Sequence, residues 1–194
     1  MKPELARKVA QCVFEARYSK NDDPWDFATS PYELCRYQTT LDALTRTSYG
    51  TVYEPGCSVG VLTEALARMA VQVISVDFAP SAVARARARC AKLSNVEVLC
   101  ASVATYVPKP ELDLVVFSEI GYYFDPTELA RIARVLSKRL QPQGEFLAVH
   151  WLGHSADHVT HGEVVHETLR RDLPLVWVRG ERHPLFRIDC WRKS

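Results

Sequence analysis

From Pro3 to Tyr18 the apolar residues Leu5, Val9, Cys12, Val13 and Ala16 recur at three- and four-residue intervals, the spacing of a helix with one buried stripe. Asn21-Asp22-Asp23-Pro24-Trp25 interrupts it, since aspartate and proline favour turns. Ser30-Pro31 then supplies an N-cap and a first-turn proline for a second helix running to about Leu44, with Glu33 placed to complete a capping box on Ser30. From Thr51 the pattern changes to short apolar segments alternating with helix-length amphipathic ones. The strands are Thr51–Glu54, Val71–Val76, Val96–Cys100, Leu112–Phe117 and Glu145–Trp151. Helices fall at Val61–Arg68, Pro80–Lys92 and Pro126–Leu140, the second carrying Arg85, Arg87 and Arg89 on a face read as solvated. Beyond Trp151 a polar stretch leads to a helix near Gly162–Arg171. Two apolar runs follow, Leu175–Arg182 and Leu185–Trp191, joined through His183-Pro184 as an antiparallel hairpin. The pattern predicts a single α/β domain over 1–194: a doubly wound, mostly parallel sheet in 49–194 with N-terminal helices in 1–48 and the hairpin at one edge.

Composition narrows the partners. The 194 residues are 47% hydrophobic and 24% charged, enough to bury one core. A net charge of +1 gives no broad field for nucleic acid or an anionic membrane, so a small, roughly neutral molecule is the expected partner. No apolar run approaches the roughly 20 residues of a membrane span, and Met1 to Lys8 lacks the order of a signal peptide, so a cytoplasmic location is expected. Cys12, Cys35, Cys57, Cys90, Cys100 and Cys190 form no Cys-x-x-Cys pair and read as reduced, mostly buried thiols. His154, His158 and His161 have the spacing of one helical face, but no carboxylate or cysteine completes a ligand set. They read as a polar loop in preference to a metal site.

The chemistry is concentrated after the first strand, in Tyr53-Glu54-Pro55-Gly56-Cys57-Ser58-Val59-Gly60. Ligands of open α/β sheets bind beyond the carboxyl ends of the strands, and Gly56 and Gly60 are placed to let backbone approach one. The second strand ends at Asp77, where a carboxylate can accept both hydroxyls of an adenosine ribose. A dinucleotide site would read G-x-G-x-x-G; this loop reads G-x-x-x-G. Glu54 would also repel a diphosphate, while suiting the ammonium of an amino-acid moiety. Taken alone, the glycine pair is equally a tight strand-to-helix turn.

With these parts in this order, the stretch Thr51 to Trp191 resembles the class I S-adenosylmethionine-dependent methyltransferases, a Rossmann-like family. Glu54-Pro55-Gly56-Cys57-Ser58-Val59-Gly60 is similar to their first motif, Asp77 to the acidic end of their second strand, and Leu140-Gln141-Pro142-Gln143-Gly144 to the turn before their fifth. Ser58 and Ser102 depart from the family's usual glycine and aspartate. Within that class, Asp23-Pro24-Trp25, Tyr32-Glu33 with Arg36-Tyr37, Ser118-Glu119-Ile120-Gly121-Tyr122-Tyr123 and Ala148-Val149-His150-Trp151 resemble the NodS-type branch. The resemblance implies S-adenosylmethionine as methyl donor, S-adenosylhomocysteine as product and an amine or amino-sugar acceptor. The alternatives are O-methylation of another small metabolite, a nicotinamide-dependent oxidoreductase, and a cofactor-binding protein without chemistry.

It also implies roles. Glu54, Gly56, Cys57, Gly60, Asp77, Ser102, Val103 and Ser118 would hold the cofactor, Phe78 would stack on adenine, and Trp25 would close over it as part of an N-terminal lid. Tyr122 and Tyr123 would line the acceptor side, attracted to the sulfonium or simply packed. Glu119 and His150 are the candidate proton acceptors. Glu119 competes with a reading as a loop carboxylate or arginine partner, and His150 reads first as a hydrogen-bonded core histidine.

Overall fold

The computed structural model describes residues 3–194, with side chains described from Lys8 onward. Met1, Lys2 and the side chain of Leu5 lie outside the described residues. Two helices, α1 (Pro3–Lys20) and α2 (Pro31–Asp42), precede β1 (Tyr49–Pro55), α3 (Val61–Leu66), β2 (Ala70–Asp77), α4 (Pro80–Arg89) and β3 (Val96–Cys100). Then come β4 (Leu112–Ser118), α5 (Pro126–Arg139), β5 (Leu140–Trp151), α6 (Gly162–Asp172), β6 (Val176–Arg182) and β7 (Phe186–Arg192).

The seven strands lie in the order β3-β2-β1-β4-β5-β7-β6. The first five are mutually parallel, and β7 enters antiparallel between β5 and β6, the expected hairpin. The chain runs outward through β1, β2 and β3, then returns to the far side of β1 as β4. Strand order therefore reverses between β1 and β4, and a crevice opens beyond their carboxyl ends.

Because side chains alternate along a strand, β4 supplies both cores at once. Val115 and Phe117 pack with Leu129, Ile132 and Leu136 of α5 and with Val165 and Leu169 of α6. Leu114 and Val116 face the opposite layer with Leu62 and Leu66 of α3 and Val52 and Val73 of the neighbouring strands. A strand covered on both faces is largely apolar, which is why 114–117 is an unbroken apolar run.

Several boundaries move. Helices α3 and α4 stop at Leu66 and Arg89, short of the expected Arg68 and Lys92. The turn expected at 140–144 is absorbed into β5: Leu140 pairs with Leu112, the register shifts, and Glu145 pairs with Leu114. Gln143 takes a positive φ of 64° inside that irregularity. Ser30 makes no side-chain capping bond. Glu33 turns to Arg36 instead, accepting from Arg36 Nε at 3.1 Å, because a guanidinium inside the protein outcompetes one backbone amide for the carboxylate. The arginine face of α4 is not simply solvated: Arg87 Nε donates to the Val98 carbonyl and Arg89 Nε to that of Val59, each at 2.9 Å, and Arg85 pairs with Asp22. Among the described residues no helix is long and apolar enough to cross a membrane.

The largest correction concerns α1. Its predicted stripe is left exposed: Val9 and Val13 are 49% and 45% exposed, and Cys12 and Ala16 are exposed too. The inward face is aromatic and polar. Phe14 stacks on Trp25 and meets Phe78 and Tyr123, while Gln11 Nε2 donates to the Phe78 carbonyl at 2.6 Å and the Glu15 carboxylate accepts from Ser81 N–H at 3.0 Å. Large aromatic rings bury more area than valines, and the backbone groups at the start of α4 require partners, so the face that satisfies both is chosen. Accordingly, Phe14→Ala is expected to lower unfolding free energy by about 2 kcal/mol, while Val9→Ser stays within about 0.5 kcal/mol. Chemical denaturation of the two variants checks this; equal losses would restore the valine stripe as the docking face.

Candidate active site

The crevice beyond β1 and β4 widens into a cleft of about 1820 Å³, roofed by α1 and the segment after it. A single drug-sized ligand occupies roughly 300–1,000 Å³, so the cleft has room for two reactants side by side. Trp25, Gly56, Asp77, Phe78, Ser102 and Val103 line one half. Tyr32, Glu33, Glu119, Tyr122, Tyr123 and His158 line the other.

The first half is built on backbone that side chains seldom allow. Gly56 and Gly60 adopt φ of 78° and 80°, and Ser58 between them adopts 49°. A Cβ on Gly56 would lie 2.2 Å from Ile120 Cγ2, so the turn and its packing against Ile120 both require glycine here. A Cβ on Gly60 would lie 3.0 Å from Ala86, which gives that glycine a packing role between α3 and α4 away from the cleft. Ser58 holds its left-handed turn through two bonds: its N–H donates to Asp77 Oδ2 at 3.0 Å, and its hydroxyl meets Tyr18 Oη at 2.6 Å. Asp77 Oδ1 accepts from Ala79 N–H at 2.9 Å. The carboxylate is thereby fixed at the cleft wall, and burial pushes its pKa up to about 6 despite these backbone donors.

The second half centres on Glu119, directly after β4, which adopts a φ of 58°. A bulky residue in this region is strained, and such strain clusters at functional sites. Glu119 is held from several sides. Its N–H donates to the Val149 carbonyl at 2.9 Å, Oε1 accepts from Trp151 N–H at 2.7 Å, and Oε2 accepts from Tyr122 Oη at 2.8 Å. Arg36 of α2, only 1% exposed, approaches Glu119 Oε1 at 3.1 Å and also pairs with Glu33. Two carboxylates thus share one guanidinium, which leaves this end of the cleft net negative. Burial, reinforced by Glu119, holds the Tyr122 phenol well above its ordinary pKa, so it remains a donor.

An aromatic wall completes this end. Tyr122 stacks on His158 with centroids 3.8 Å apart and meets Tyr123 edge-on at 4.9 Å. Two polar atoms on cleft-lining side chains, Tyr32 Oη and His158 Nδ1, are buried without a hydrogen-bond partner among the described residues.

Trp25, Gly56, Asp77, Phe78, Ser102, Val103, Glu119, Tyr122 and Tyr123 all lie on the cleft wall. Glu54, Cys57, Gly60, Ser118 and His150 do not. Glu54 sits beneath the loop at 3% exposure, where Oε2 accepts from the hydroxyls of Thr63 and Ser75; burial, with Asp77 nearby, pushes its pKa up to about 7. It staples β1 to α3 and β2 and makes no wall for a ligand's ammonium. Cys57 packs with Val83, Ala86 and Val98, and Ser118 is buried at the end of β4. His150 is fully buried with both ring nitrogens engaged, as a core histidine would be.

The three loop histidines do not share a helical face. His161 caps α6, accepting from Glu163 N–H at 3.3 Å, while its other ring nitrogen bonds the Leu152 carbonyl at 2.8 Å. His158 joins the aromatic wall and His154 lies at the cleft. Among the described residues no group of three or more His, Cys, Asp or Glu is arranged to hold a metal ion. Sequence reasoning missed Tyr18 and the ion pairing of Arg36. An i, i+4 aromatic pair, Phe14 and Tyr18, was the available signal for the first.

The family model for nodulation protein S (NodS) matches residues 13–180. Nodulation protein S of Bradyrhizobium diazoefficiens is 32% identical over 123 residues, covering 62% of this chain and 59% of that protein. The Rhizobium tropici protein of the same name is 30% identical over 128 residues, covering 65% of this chain and 54% of its own length. The chain thus matches less than two thirds of the length of these curated relatives. In three dimensions it superposes on the N-methyltransferase NodS of Bradyrhizobium japonicum WM9, solved with S-adenosyl-L-homocysteine, with a TM-score of 0.83 over 95% of this chain and 98% of that one, at 23% identity. With 168 consecutive positions, 13 through 180, falling under one family model, the chain belongs to the nodulation protein S family.

Proposed function

We propose that this NodS-family methyltransferase binds S-adenosylmethionine in the Gly56–Asp77 half of the cleft and passes its methyl group to the amine of a small acceptor, an amino sugar, in the Glu119 half. The observation that carries the reading is Glu119: a residue of strained backbone whose carboxylate is held by three partners, in the same cleft as a carboxylate-edged pocket on the glycine loop.

The cofactor half fits the donor. Gly56 brings the left-handed turn after β1 to the cleft wall, Asp77 offers lone pairs for two ribose hydroxyls, and Phe78 with Val103 offers apolar surface for a purine. When bound, S-adenosylmethionine supplies a methyl group on a positively charged sulfur, a carbon already activated for displacement. The protein's task is then alignment, which alone can lower a barrier by several kcal/mol. An attacking amine has to be uncharged, and Glu119 receives the proton it sheds. Arg36 and Trp151 N–H fix one carboxylate oxygen and Tyr122 the other, so the group cannot swing away. The aromatic faces of Tyr122 and Tyr123 favour cationic charge nearby. The unpartnered Tyr32 Oη and His158 Nδ1 suit an acceptor bearing hydroxyl groups, which is the reason to prefer a sugar amine over a plain alkylamine.

Asp77→Ala is expected to weaken S-adenosylhomocysteine binding by about 1.5–3 kcal/mol, since the ribose bonds are charge-assisted. The wild-type carboxyl titrates near 6, and only its ionised form accepts from both hydroxyls, so affinity should fall as pH drops through about 6. Calorimetric titration between pH 5 and 8, with NADH as control, reads both effects; a pH-independent affinity or preference for NADH would sink the ribose assignment.

Glu119→Gln keeps the shape and removes the base. Turnover on an amino-sugar panel should drop about 10²–10⁴-fold while S-adenosylhomocysteine affinity holds. A variant turning over at the normal rate would retire Glu119 from proton transfer.

A further inference from the structure

Behind the aromatic wall runs a polar chain through otherwise apolar core. Asp189 Oδ2 lies 2.7 Å from His166 Nδ1, His166 Nε2 lies 3.2 Å from His150 Nδ1, and His150 Nε2 lies 3.0 Å from the Gly121 amide nitrogen. Asp189, His166 and His150 are each at most 1% exposed. The chain starts on β7, passes through α6 and β5, and ends on the 3-10 turn Gly121–Tyr123 that follows Glu119.

Every proton in this chain has one permitted place. The Gly121 N–H can only donate, so His150 Nε2 has to present its lone pair and the ring carries its hydrogen on Nδ1. That Nδ1–H donates to His166, whose Nε2 is therefore bare and whose Nδ1–H donates to the Asp189 carboxylate. Both imidazoles are neutral: burial depresses the basicity of each, well below the ordinary value for His150, where His166, Arg36 and His158 add to the effect. The carboxylate at the far end is itself held, accepting from Trp177 Nε1 at 3.0 Å and Arg187 Nε at 2.7 Å.

The near end bears on the site. Glu119 is bonded to Val149 and Trp151, the residues on either side of His150, so strand positions 149–151 clamp positions 119–121 by three hydrogen bonds. There is no slack at the contact: a Cβ on Gly121 would meet Val165 Cγ1 at 2.5 Å and His150 Nε2 at 2.7 Å. The carbonyl of Tyr122 in turn accepts from the amides of Val159 and Thr160, tying the His158 segment to the same turn.

We propose that Asp189, His166 and His150 form a positioning chain that fixes the Gly121 amide, and with it the registration of Glu119 and Tyr122 against the acceptor, so that the C-terminal hairpin is a working part of the active site. His150 thereby acts through Gly121 and never on the reacting atoms. The kinetic consequence rests on the transfer reaction proposed above; the proton positions do not.

The direct test is long-range proton–nitrogen correlation spectroscopy on the unmodified protein. Both rings are expected as neutral Nδ1–H tautomers with bare Nε2, and His150 found with its proton on Nε2, or doubly protonated, overturns the chain. The second test compares His166→Leu with His166→Gln, whose amide oxygen can take the place of Nε2 as acceptor. Leucine should lower kcat by about 10²-fold and speed hydrogen exchange at Gly121, with S-adenosylhomocysteine affinity retained. Glutamine should recover both. Leucine without effect, or a loss that glutamine fails to recover, marks the chain as packing only. If leucine prevents folding, the tautomers of the wild-type rings still decide. Should Glu119→Gln prove fully active while this pattern holds, Glu119 is the wrong base and the positioning chain stands.

Discussion

A guanidinium withdrawn from water has to be answered by negative charge, and Arg36 is answered by Glu33 on its own helix and by Glu119 just after β4. Unpaired, a charge at 1% exposure would cost several kcal/mol. The pairing therefore seats α2 against the carboxyl end of β4, at the Glu119 end of the cleft. The left-handed backbone of Glu119 follows from the same constraint, because its carboxylate has to reach Arg36, Trp151 and Tyr122 together. Strain at one residue is tolerated where so many bonds determine it.

A second organisation is visible in how acidic groups divide. Those at the rear of the sheet are structural and held ionised. Glu145 accepts from Thr45, Tyr49 and Arg192, and Asp113 accepts from Arg46 and the Gly50 amide, which keeps both carboxyls below their usual range despite burial. On the cleft wall Asp77 has only backbone donors to offset desolvation, Glu54 beneath the loop has only two hydroxyls, and both are raised. The difference is the neighbouring charge: arginines lie against Glu145 and Asp113, whereas the hydrogen bonds to Asp77 and Glu54 come from neutral donors.

The sheet was legible because both determinants are local in sequence. Runs such as Leu114–Phe117 are apolar without a break, as strands covered on two faces tend to be, and the helices between them carry period-3.6 stripes. Gly56 and Asp77 were legible for the same reason, each lying next to a strand end. The docking face of α1 was not, since both of its faces carry apolar residues and the choice depends on Trp25, Phe78 and Ser81, all distant in sequence. Glu54 was misread because adjacency to the glycine loop says nothing about which side of the strand its carboxylate occupies. Arg36 stood within a quoted motif, but its role needed Glu119 brought to it from elsewhere in the chain. The histidines illustrate the converse: 154, 158 and 161 share a spacing and no structure, while His150 and His166 share no motif and touch.

The strand order also governs how the chain assembles. Val52 on β1 lies beside Val73 of β2, the next strand along the chain, and, on its other side, beside Leu114 of β4. A polypeptide emerging from the ribosome can therefore join β1, β2 and β3 early, yet one edge of β1 stays bare until β4 has been made. Non-local parallel pairing of this kind is slow, and an open apolar edge in the interval invites wrong partners. The strand that carries both cores and ends at Glu119 is thus also the one whose arrival closes the nascent sheet.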